Sequence, residues 1–208
     1  MEEAVQGNQA STPGFVITFD DGYECVLKNA AESLREHRVN AIQYLVANRI
    51  GHKNEWDLGL DPASEQLMDL TQIREWLSLG HEIGAHTLTH PRLSQIPLSL
   101  AREEILSSKK RLEDLFGVPV KHFAYPYGDY DDKIVGLVQE AGFSTACTTN
   151  PGCVRAGDDA FRLNRLTVEE SGPTNFMVFK VRKNLSNFAR QARWAAKRFI
   201  TNVQLTLR

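Results

Sequence analysis

The sequence predicts an α/β domain that folds as a small, incomplete (β/α) barrel. Segments typical of buried strands alternate with segments of helical spacing along most of the 208 residues, and this alternation is the pattern of parallel βαβ units. About six units can be counted, fewer than the eight of a full barrel. Hydrophobic residues make up 42% of the chain and charged residues 24%, which is typical of one globular domain of this length.

The predicted strands and helices follow one another in a regular order. The run GFVITFD at 14–20 is β-branched and aromatic, ends at an Asp-Gly turn and predicts a buried strand. Helical spacing over 25–38 is followed by a second strand at 40–47. We expect Thr71 to cap the next helix. The later elements are a helix at 71–80, a strand at 81–86, a helix at 97–116, a strand at 121–125, a helix at 130–141 and strands at 143–148 and 161–168.

Charge divides the chain into an acidic body and a basic end. We expect a flexible N-terminus at 1–13, a barrel domain at 14–170 and a basic C-terminal segment at 171–208 that packs on the same domain. No acidic residue follows Glu170, so the net charge of −2 separates into −10 for residues 1–170 and +8 for the remainder. Apolar residues of the segment share one helix face and basic residues the opposite one. Two interpretations stay open: a helix that closes the barrel, or a basic amphipathic helix in weak contact with an anionic membrane surface.

The cellular compartment is predicted from the N-terminus and the cysteines. The first 14 residues have neither the basic nor the apolar region of a signal peptide, which predicts a cytoplasmic location. Cys25, Cys147 and Cys153 form no CxxC pair and are expected to be reduced thiols, although a bridge between the last two stays open. No recognised nucleic-acid-binding fold accompanies the basic segment, so we expect no nucleic-acid partner.

Unusual polar residues fall where the predicted strands end. Barrels and open α/β sheets both place their functional residues at the C-terminal ends of the strands. Asp20 and Asp21 follow the first strand, and His52 lies a little beyond the second. His86 and His90 follow the third strand in HTLTH, and YPYG at 125–128 follows the fourth.

These residue types together predict a metal site. Two neutral imidazoles and one carboxylate, with one coordination position left open, are a recurrent arrangement for a catalytic zinc ion. Pro91 disfavours helical geometry at His90, so we expect a tight turn that presents both histidine rings to the same side. A turn at Gly22 can aim both preceding carboxylates into the site, one to bind metal and one to accept a proton from water. Each motif alone is a weak signal, and their joint placement favours the metal site.

The three motifs resemble those of a known family. TFDDG at 18–22, HTLTH at 86–90 and YPYG at 125–128, in this order, are similar to the first three motifs of the polysaccharide deacetylases, also called the NodB homology domain or carbohydrate esterase family 4. The resemblance runs from about Phe15 to Val168. It implies a distorted, incomplete (β/α) barrel that uses a divalent metal, usually zinc, to hydrolyse N- or O-linked acetyl groups on sugars.

The resemblance also implies roles for individual residues. Asp20 corresponds to the general base. The metal ligands correspond to Asp21, His86 and His90. The backbone N–H of Tyr127 corresponds to a donor that holds the oxyanion.

The neighbouring residues of the third motif, with one later arginine, are the candidates for substrate binding. These are Tyr125, Pro126, Gly128 and Arg162. Tyr125 stands where the family's third motif often begins with arginine. Arg165 is a second polar residue of the closing segment FRLNRLTV and has no assigned role.

One motif of the family is missing from this chain. Many members carry a later Leu-x-His motif whose histidine protonates the leaving amine, but no histidine follows His122. His52 is the spare histidine on the catalytic side and is therefore the candidate general acid. Thr87 and Thr89, between the two histidine ligands, are expected to support their loop.

Three functions are consistent with these residues. The leading hypothesis is metal-dependent removal of acetyl groups from N-acetylated sugars of a poly- or oligosaccharide. A related amidohydrolase acting on a small ureide would share the same site. The missing general acid favours a third alternative, a non-catalytic carbohydrate-binding protein on the same fold. A cytoplasmic enzyme would meet a glycan precursor, for example one linked to lipid at the inner membrane face.

Membrane contact can be tested by charge reversal in the C-terminal segment. Each Lys or Arg near an anionic surface contributes about 1 kcal/mol to binding, so replacing Arg190, Arg193 and Lys197 by glutamate should abolish salt-sensitive binding to anionic vesicles, measured by cosedimentation. A folded triple variant that binds the vesicles as the wild type does would contradict membrane contact and leave the structural interpretation.

Overall fold

The computed structural model describes residues 15–56, 65–167, 169–170 and 177–178. Six parallel strands form one sheet in which each strand pairs with the next along the chain. The strands are β1 (Ile17–Phe19), β2 (Ala41–Leu45), β3 (Glu82–Ala85), β4 (His122–Ala124), β5 (Thr145–Pro151) and β6 (Leu163–Arg165). The unbroken order of six parallel strands confirms the predicted incomplete (β/α) barrel. A separate antiparallel pair comprises β7 (Glu169–Glu170) and β8 (Met177–Val178).

Four α-helices connect the strands of the barrel. They are α1 (Glu24–Glu36), α2 (Leu70–Ser78), α3 (Leu98–Phe116) and α4 (Asp132–Glu140), with single 3₁₀ turns at Leu93–Gln95 and Pro126–Gly128. Each helix lies within a few residues of its predicted position. The predicted cap of α2 was wrong, because Asp69 and not Thr71 is the N-cap. The Asp69 carboxylate accepts hydrogen bonds from the backbone N–H groups of Thr71 and Gln72, and the Gln72 side chain accepts one from the Asp69 N–H.

Side chains alternate along each strand, so the sheet contributes residues to a packed cluster on each of its faces. One face packs against the helices in a large core whose fully buried members include Ile73, Trp76, Ile105, Leu112 and Phe123. The opposite face lines the barrel interior with a smaller cluster. That cluster contains Ile42, Tyr44, Ala124, Cys147 and Leu163.

Polar contacts and one glycine shape the barrel interior. The Tyr44 hydroxyl lies 3.3 Å from the Cys147 sulfur, and burial raises the pKa of both groups. Cys147 is a free thiol, as are Cys25 and Cys153. Gly84 of β3 lies under the Tyr44 ring, where any side chain would collide with it. The tyrosine fills space that the glycine leaves open.

A side chain connects the first and last strands of the sheet. Within the described part of the chain, β1 and β6 share no backbone ladder. Arg165 of β6 instead reaches across, donating to the Thr18 hydroxyl at 3.2 Å and to both carboxylate oxygens of Asp20 at 2.7 Å. Its Nε donates to the Thr148 carbonyl at 2.9 Å. Arg165 therefore connects β1 and β6 at the end of the barrel that carries the carboxylates of Asp20 and Asp21.

Two predicted parts of the chain fall outside the described residues. These are the N-terminus at 1–13 and almost all of the basic segment at 171–208, including its predicted helix. Among the residues that the structure describes, none of the helices has the length and apolar character needed to cross a membrane.

Replacing Gly84 by alanine should destabilise the barrel. The new Cβ would lie 2.4 Å from Cδ1 of Tyr44 and 2.9 Å from the His122 carbonyl oxygen, and overpacking of this kind costs about 1–3 kcal/mol. For a domain of this size each kcal/mol corresponds to roughly 2–4 °C in melting temperature, which calorimetry can measure.

Gly136→Ala is the matched control. Gly136 lies on the exposed side of α4, and nothing stands within 4 Å of the position of its added Cβ. Removing a glycine from a helix interior stabilises by about 0.5–1 kcal/mol. The two substitutions should therefore shift the melting temperature in opposite directions, and equal shifts would contradict the packing argument.

Candidate active site

The turn after β1 brings two carboxylates to the end of the barrel. Asp21 and Gly22 both have left-handed backbone conformations, with φ of 71° and 91°. The Gly22 N–H donates to the Asp20 carbonyl at 2.9 Å and closes the turn. Since the chain reverses here, the Asp21 carboxylate points toward the histidines, while Asp20 faces Arg165. The predicted turn at Gly22 is present.

The loop after β3 presents both histidine rings to one side. The His86 Nδ1 lies 2.7 Å from the Ala124 carbonyl oxygen. Because a carbonyl can only accept, Nδ1 carries the proton and the Nε2 lone pair is directed away from that bond. Burial is the largest influence on His86 and lowers its pKa, which favours the neutral imidazole. Neutral imidazole is the form that binds metal ions.

Three side chains converge in a group that could hold a metal ion. The Nε2 atoms of His86 and His90 lie 3.4 Å and 3.3 Å from the Asp21 Oδ1, and the candidate ligand atoms all lie within 4.8 Å of one another. Asp21 Oδ1 is buried and has no hydrogen-bond partner among the described residues. Lone pairs that face one another at this separation repel unless a cation lies between them, so the donor set fits a metal ion.

Backbone strain is concentrated around this cluster. Of the five described non-glycine residues with positive φ, four belong to the site: Asp21, Thr87, His90 and Tyr127. A non-glycine residue in such a conformation costs on the order of 1–3 kcal/mol and persists only where the surroundings hold it. His90 has a φ of 68° and is followed by Pro91, so the expectation that His90 departs from helical geometry is confirmed.

Contacts from three directions hold the strained histidine loop. The Thr87 hydroxyl accepts from the His90 N–H at 3.0 Å. The carbonyls of Thr87 and Leu88 accept from the N–H groups of Ala47 and Asn48, just after β2. On the third side, the Glu104 carboxylate of α3 accepts from the loop. Thr87 and Thr89 both make loop-supporting hydrogen bonds, in agreement with the sequence.

Asp20 forms a paired hydrogen bond with Arg165. The two terminal guanidinium nitrogens each lie 2.7 Å from one of the carboxylate oxygens. This is the bidentate geometry that planar arginine favours. Burial opposes ionisation of Asp20, but the hydrogen bonds and the charge of Arg165 favour it, and the pKa of this carboxyl is lowered. Burial likewise opposes the charge of Arg165, whose pKa is nevertheless raised by Asp20. Asp20 is therefore an ionised carboxylate beside the three candidate metal ligands.

Aromatic rings form the outer wall of the cluster. The Trp56 ring stacks on His90 with a centroid separation of 4.5 Å and an interplanar angle of 30°. The Tyr127 ring meets His90 edge-on, also at 4.5 Å, and is 38% exposed. The guanidinium of exposed Arg92 lies 4.1 Å from the centre of the Tyr127 ring. This wall offers aromatic surface and a cation directly beside the cluster.

The turn at 125–128 needs its glycine. Tyr127 and Gly128 have φ of 58° and 67°. A Cβ on Gly128 would lie 1.9 Å from the Thr149 hydroxyl oxygen, so no other residue fits without displacement. The turn brings the Tyr127 ring against His90. The roles of the Tyr127 N–H and of Gly128 stay predictions.

Other predicted site residues make contacts outside the cluster. Tyr125 is 1% exposed and its hydroxyl donates to the Phe161 carbonyl, and its role toward substrate stays a prediction. Pro126 is also buried. Arg162 donates to the carboxylates of Asp132 and Asp159 at 2.6 Å and 2.9 Å, and its role toward substrate stays a prediction.

His52 occupies an exposed position in the segment after β2. Its backbone carbonyl accepts hydrogen bonds from Gln66 and Leu67. Among the described residues, no ring contact or hydrogen bond joins its imidazole to Asp20 or to the metal cluster. The structure therefore does not bring the candidate general acid into contact with the other site residues.

Sequence reasoning missed three residues of the site. The sequence assigned no role to Arg165, and its only indication of one was a second arginine in the closing strand. Trp56 carried the weak signal of a tryptophan in a polar loop. Glu104 lies within a helix rich in charged residues, where no feature of the sequence separates a buried carboxylate from solvated ones.

Comparisons with known proteins agree with this geometry. YxkH of Bacillus subtilis is 25% identical over 163 residues, covering 78% of this chain and 54% of YxkH. The poly-β-1,6-N-acetyl-D-glucosamine N-deacetylase of Staphylococcus epidermidis is 26% identical over 155 residues, covering 73% of this chain and 53% of that enzyme. The chain thus spans a little over half the length of these two relatives.

A solved structure and a family model complete the comparison. IcaB from Ammonifex degensii superposes with a TM-score of 0.70 over 81% of this chain and 73% of that one, at 24% identity, which shows a shared fold. The model of the polysaccharide deacetylase family matches residues 7–146, about two thirds of the sequence. That span contains all three motifs and every residue of the metal cluster. The chain belongs to the polysaccharide deacetylase family.

Proposed function

We propose that this chain removes acetyl groups from N-acetylated sugars of a poly- or oligosaccharide by metal-dependent hydrolysis. The observation that carries the proposal is the convergence of Asp21, His86 and His90 beside an ionised second carboxylate, Asp20. Family membership and the named activity of the Staphylococcus epidermidis relative, which acts on poly-N-acetylglucosamine, support an N-acetylated glycan as substrate.

We propose zinc as the metal. Two imidazoles and one carboxylate are typical of catalytic zinc sites, and Asp21, His86 and His90 would hold the ion. Bound zinc would supply a Lewis acid that polarises the acyl oxygen. The bond from His86 Nδ1 to the Ala124 carbonyl fixes the tautomer that this role needs.

Asp20 is the proposed general base. In the reaction, water attacks the acetyl carbonyl carbon, and Asp20 accepts the proton that the water releases. Arg165 occupies one lone pair on each carboxylate oxygen, and each oxygen retains a second lone pair for that proton. The Tyr127 backbone N–H is the proposed donor to the oxyanion, at a turn whose ring contacts His90.

We also propose that Asp20 returns the proton to the leaving amine. The C–N bond then breaks, and the products are acetate and the free amino sugar. Once protonated, a carboxyl of lowered pKa releases its proton more readily than an ordinary one, so we assign both steps to Asp20. This dual role would allow turnover without the family's later histidine and without His52.

The aromatic wall is the proposed contact for sugar rings. Trp56 and the exposed part of Tyr127 flank His90, so a sugar resting on them would place its acetamido group beside the cluster. A lipid-linked glycan precursor at the inner membrane face is the proposed physiological form. Acetate release from chitooligosaccharides, together with metal analysis, distinguishes this function from the alternatives, because a binding protein would hold zinc and release no acetate.

Asp20→Asn should separate catalysis from metal binding. The change removes a base and not a ligand, so zinc content should stay at the wild-type level while acetate release falls by about 10²–10⁴-fold. Asp21→Asn and His86→Ala should each weaken zinc binding by more than about 100-fold. This exceeds the effect of losing a residue that only hydrogen-bonds to a metal ligand. Chelator competition and acetate assays measure the two quantities.

His52→Ala is the control for the general acid. If Asp20 serves both steps, the variant should release acetate at close to the wild-type rate, and a loss as large as that of Asp20→Asn would assign the acid role to His52. Zinc loss from Asp20→Asn, with retention by Asp21→Asn, would reverse the two carboxylate roles.

Arg165→Met should destabilise the protein more than the double variant Asp20→Asn/Arg165→Met. Removing the guanidinium leaves a partly buried carboxylate without its charged partner, at about 1.5–3 kcal/mol for a hydrogen bond to a charged group. The double variant leaves neither charge behind. Urea unfolding of the wild type, both single variants and the double variant gives the coupling energy. Strictly additive effects would show that the pair contributes no coupling.

A further inference from the structure

We propose that Glu104, in the middle of α3, positions the metal-binding turn between His86 and His90. Glu104 is buried, with 5% of the residue exposed. One carboxylate oxygen accepts from the backbone N–H groups of Leu88 and Thr89 at 2.8 Å and 2.9 Å, and the other accepts from the Thr89 hydroxyl at 2.6 Å. Glu104 thus binds the two residues midway between the histidine ligands.

The three bonds define the shape of the turn. Two successive N–H groups can converge on one oxygen only where the backbone curls around it, as in an anion-binding nest. Thr87 and His90, which flank the bound pair, are both left-handed, with φ of 68°. Without an acceptor in the protein, nothing on this side would hold Leu88 and Thr89 in the conformation that orients the His90 ring.

The carboxylate has no competing use in the described structure. Among residues 15–56 and 65–167, no basic side chain forms an ion pair with Glu104, so its hydrogen bonds to the loop are what satisfy the buried charge. Hydrogen bonds to an ionised acceptor are shorter and stronger than neutral ones. A charged acceptor therefore suits a turn that must resist two strained residues.

Helix α3 is a rigid support for this contact. Ala101, Ile105 and Leu112 are fully buried between the helix and the sheet. Two turns beyond Glu104, the Arg111 Nε donates to the Ala47 carbonyl at 3.1 Å, where the chain leaves β2. The same helix thus positions the loops after β2 and β3, which themselves bond to each other through Ala47 and Thr87.

The inference rests on the proposed metal site, so its test measures zinc affinity directly. The full chain and its variants are titrated with zinc against a chromophoric chelator. Glu104→Ala should bind zinc about 10–100-fold more weakly, the usual effect of losing a group that orients a ligand. Glu104→Gln keeps one acceptor oxygen for the two N–H groups and should restore most of that affinity.

A matched control separates positioning from general loss of stability. Ile105 neighbours Glu104 on α3 and faces the core, so an Ile105→Val or Ile105→Ala variant is chosen to lower the melting temperature as much as Glu104→Ala does. The Ile105 variant should keep wild-type zinc affinity. Hydrogen exchange in the metal-free protein adds a second readout, because Glu104→Ala should speed exchange of the Leu88 and Thr89 amides selectively.

Two results would overturn the inference. One is a Glu104→Ala variant that binds zinc as tightly as the wild type, and the other is an Ile105 variant that loses as much affinity at the same melting temperature. A wild-type chain that bound no zinc would contradict the proposed metal site itself and the positioning role with it. That result would be seen with the wild-type chain alone, before any variant is compared with it.

Discussion

The bidentate contact between Arg165 and Asp20 is the interaction on which both the barrel and its site depend. Among the described residues, the six parallel strands leave no backbone ladder between β1 and β6, and the guanidinium bridges them by bonding to Thr148, Thr18 and Asp20. The same bonds orient the carboxylate next to the candidate metal ligand Asp21. The contacts of Arg165 therefore do two things at once: they connect β6 to β1, and they hold the proposed base in position.

The rest of the site is a strained loop structure held by rigid neighbours. Asp21, Thr87, His90 and Tyr127 all adopt left-handed backbones that their side chains disfavour. The histidine loop is held by hydrogen bonds that it accepts from the N–H groups just after β2 and by those that it donates to the Ala124 carbonyl and to the Glu104 carboxylate. Such an arrangement presets the ligands before any metal binds, which reduces the reorganisation that binding would otherwise require. The barrel strands themselves carry little of the chemistry and serve as fixed points for the loops.

How far the sequence predicted this structure depended on the range of the interactions involved. The alternation of elements is local, so the six strands and four helices were predictable, as was the gathering of Asp20, Asp21, His86 and His90 at strand ends. The cap of α2 was misassigned because Asp69 and Thr71 are both good cap residues two positions apart. Arg165 contacts Asp20, which lies 145 residues away in the sequence, and Glu104 contacts Thr89, 15 residues away. No local sequence pattern shows which charged residue is turned inward. The burial of Tyr125 was not predictable for the same reason, since it depends on contacts with Phe161 and Tyr130.

The Arg165 contact also bears on the missing histidine. An arginine does not lose its proton in proteins, so its charge stays beside Asp20 throughout the proposed reaction. When Asp20 accepts a proton from water, it becomes a poorer acceptor for the guanidinium, and the pair regains its full attraction only when that proton leaves. The leaving amine, which becomes basic as the C–N bond breaks, is the natural recipient. The interaction that lowers the pKa of Asp20 and weakens it as a base therefore strengthens it as an acid. In the proposed mechanism, a single carboxylate tuned in this way performs both proton transfers.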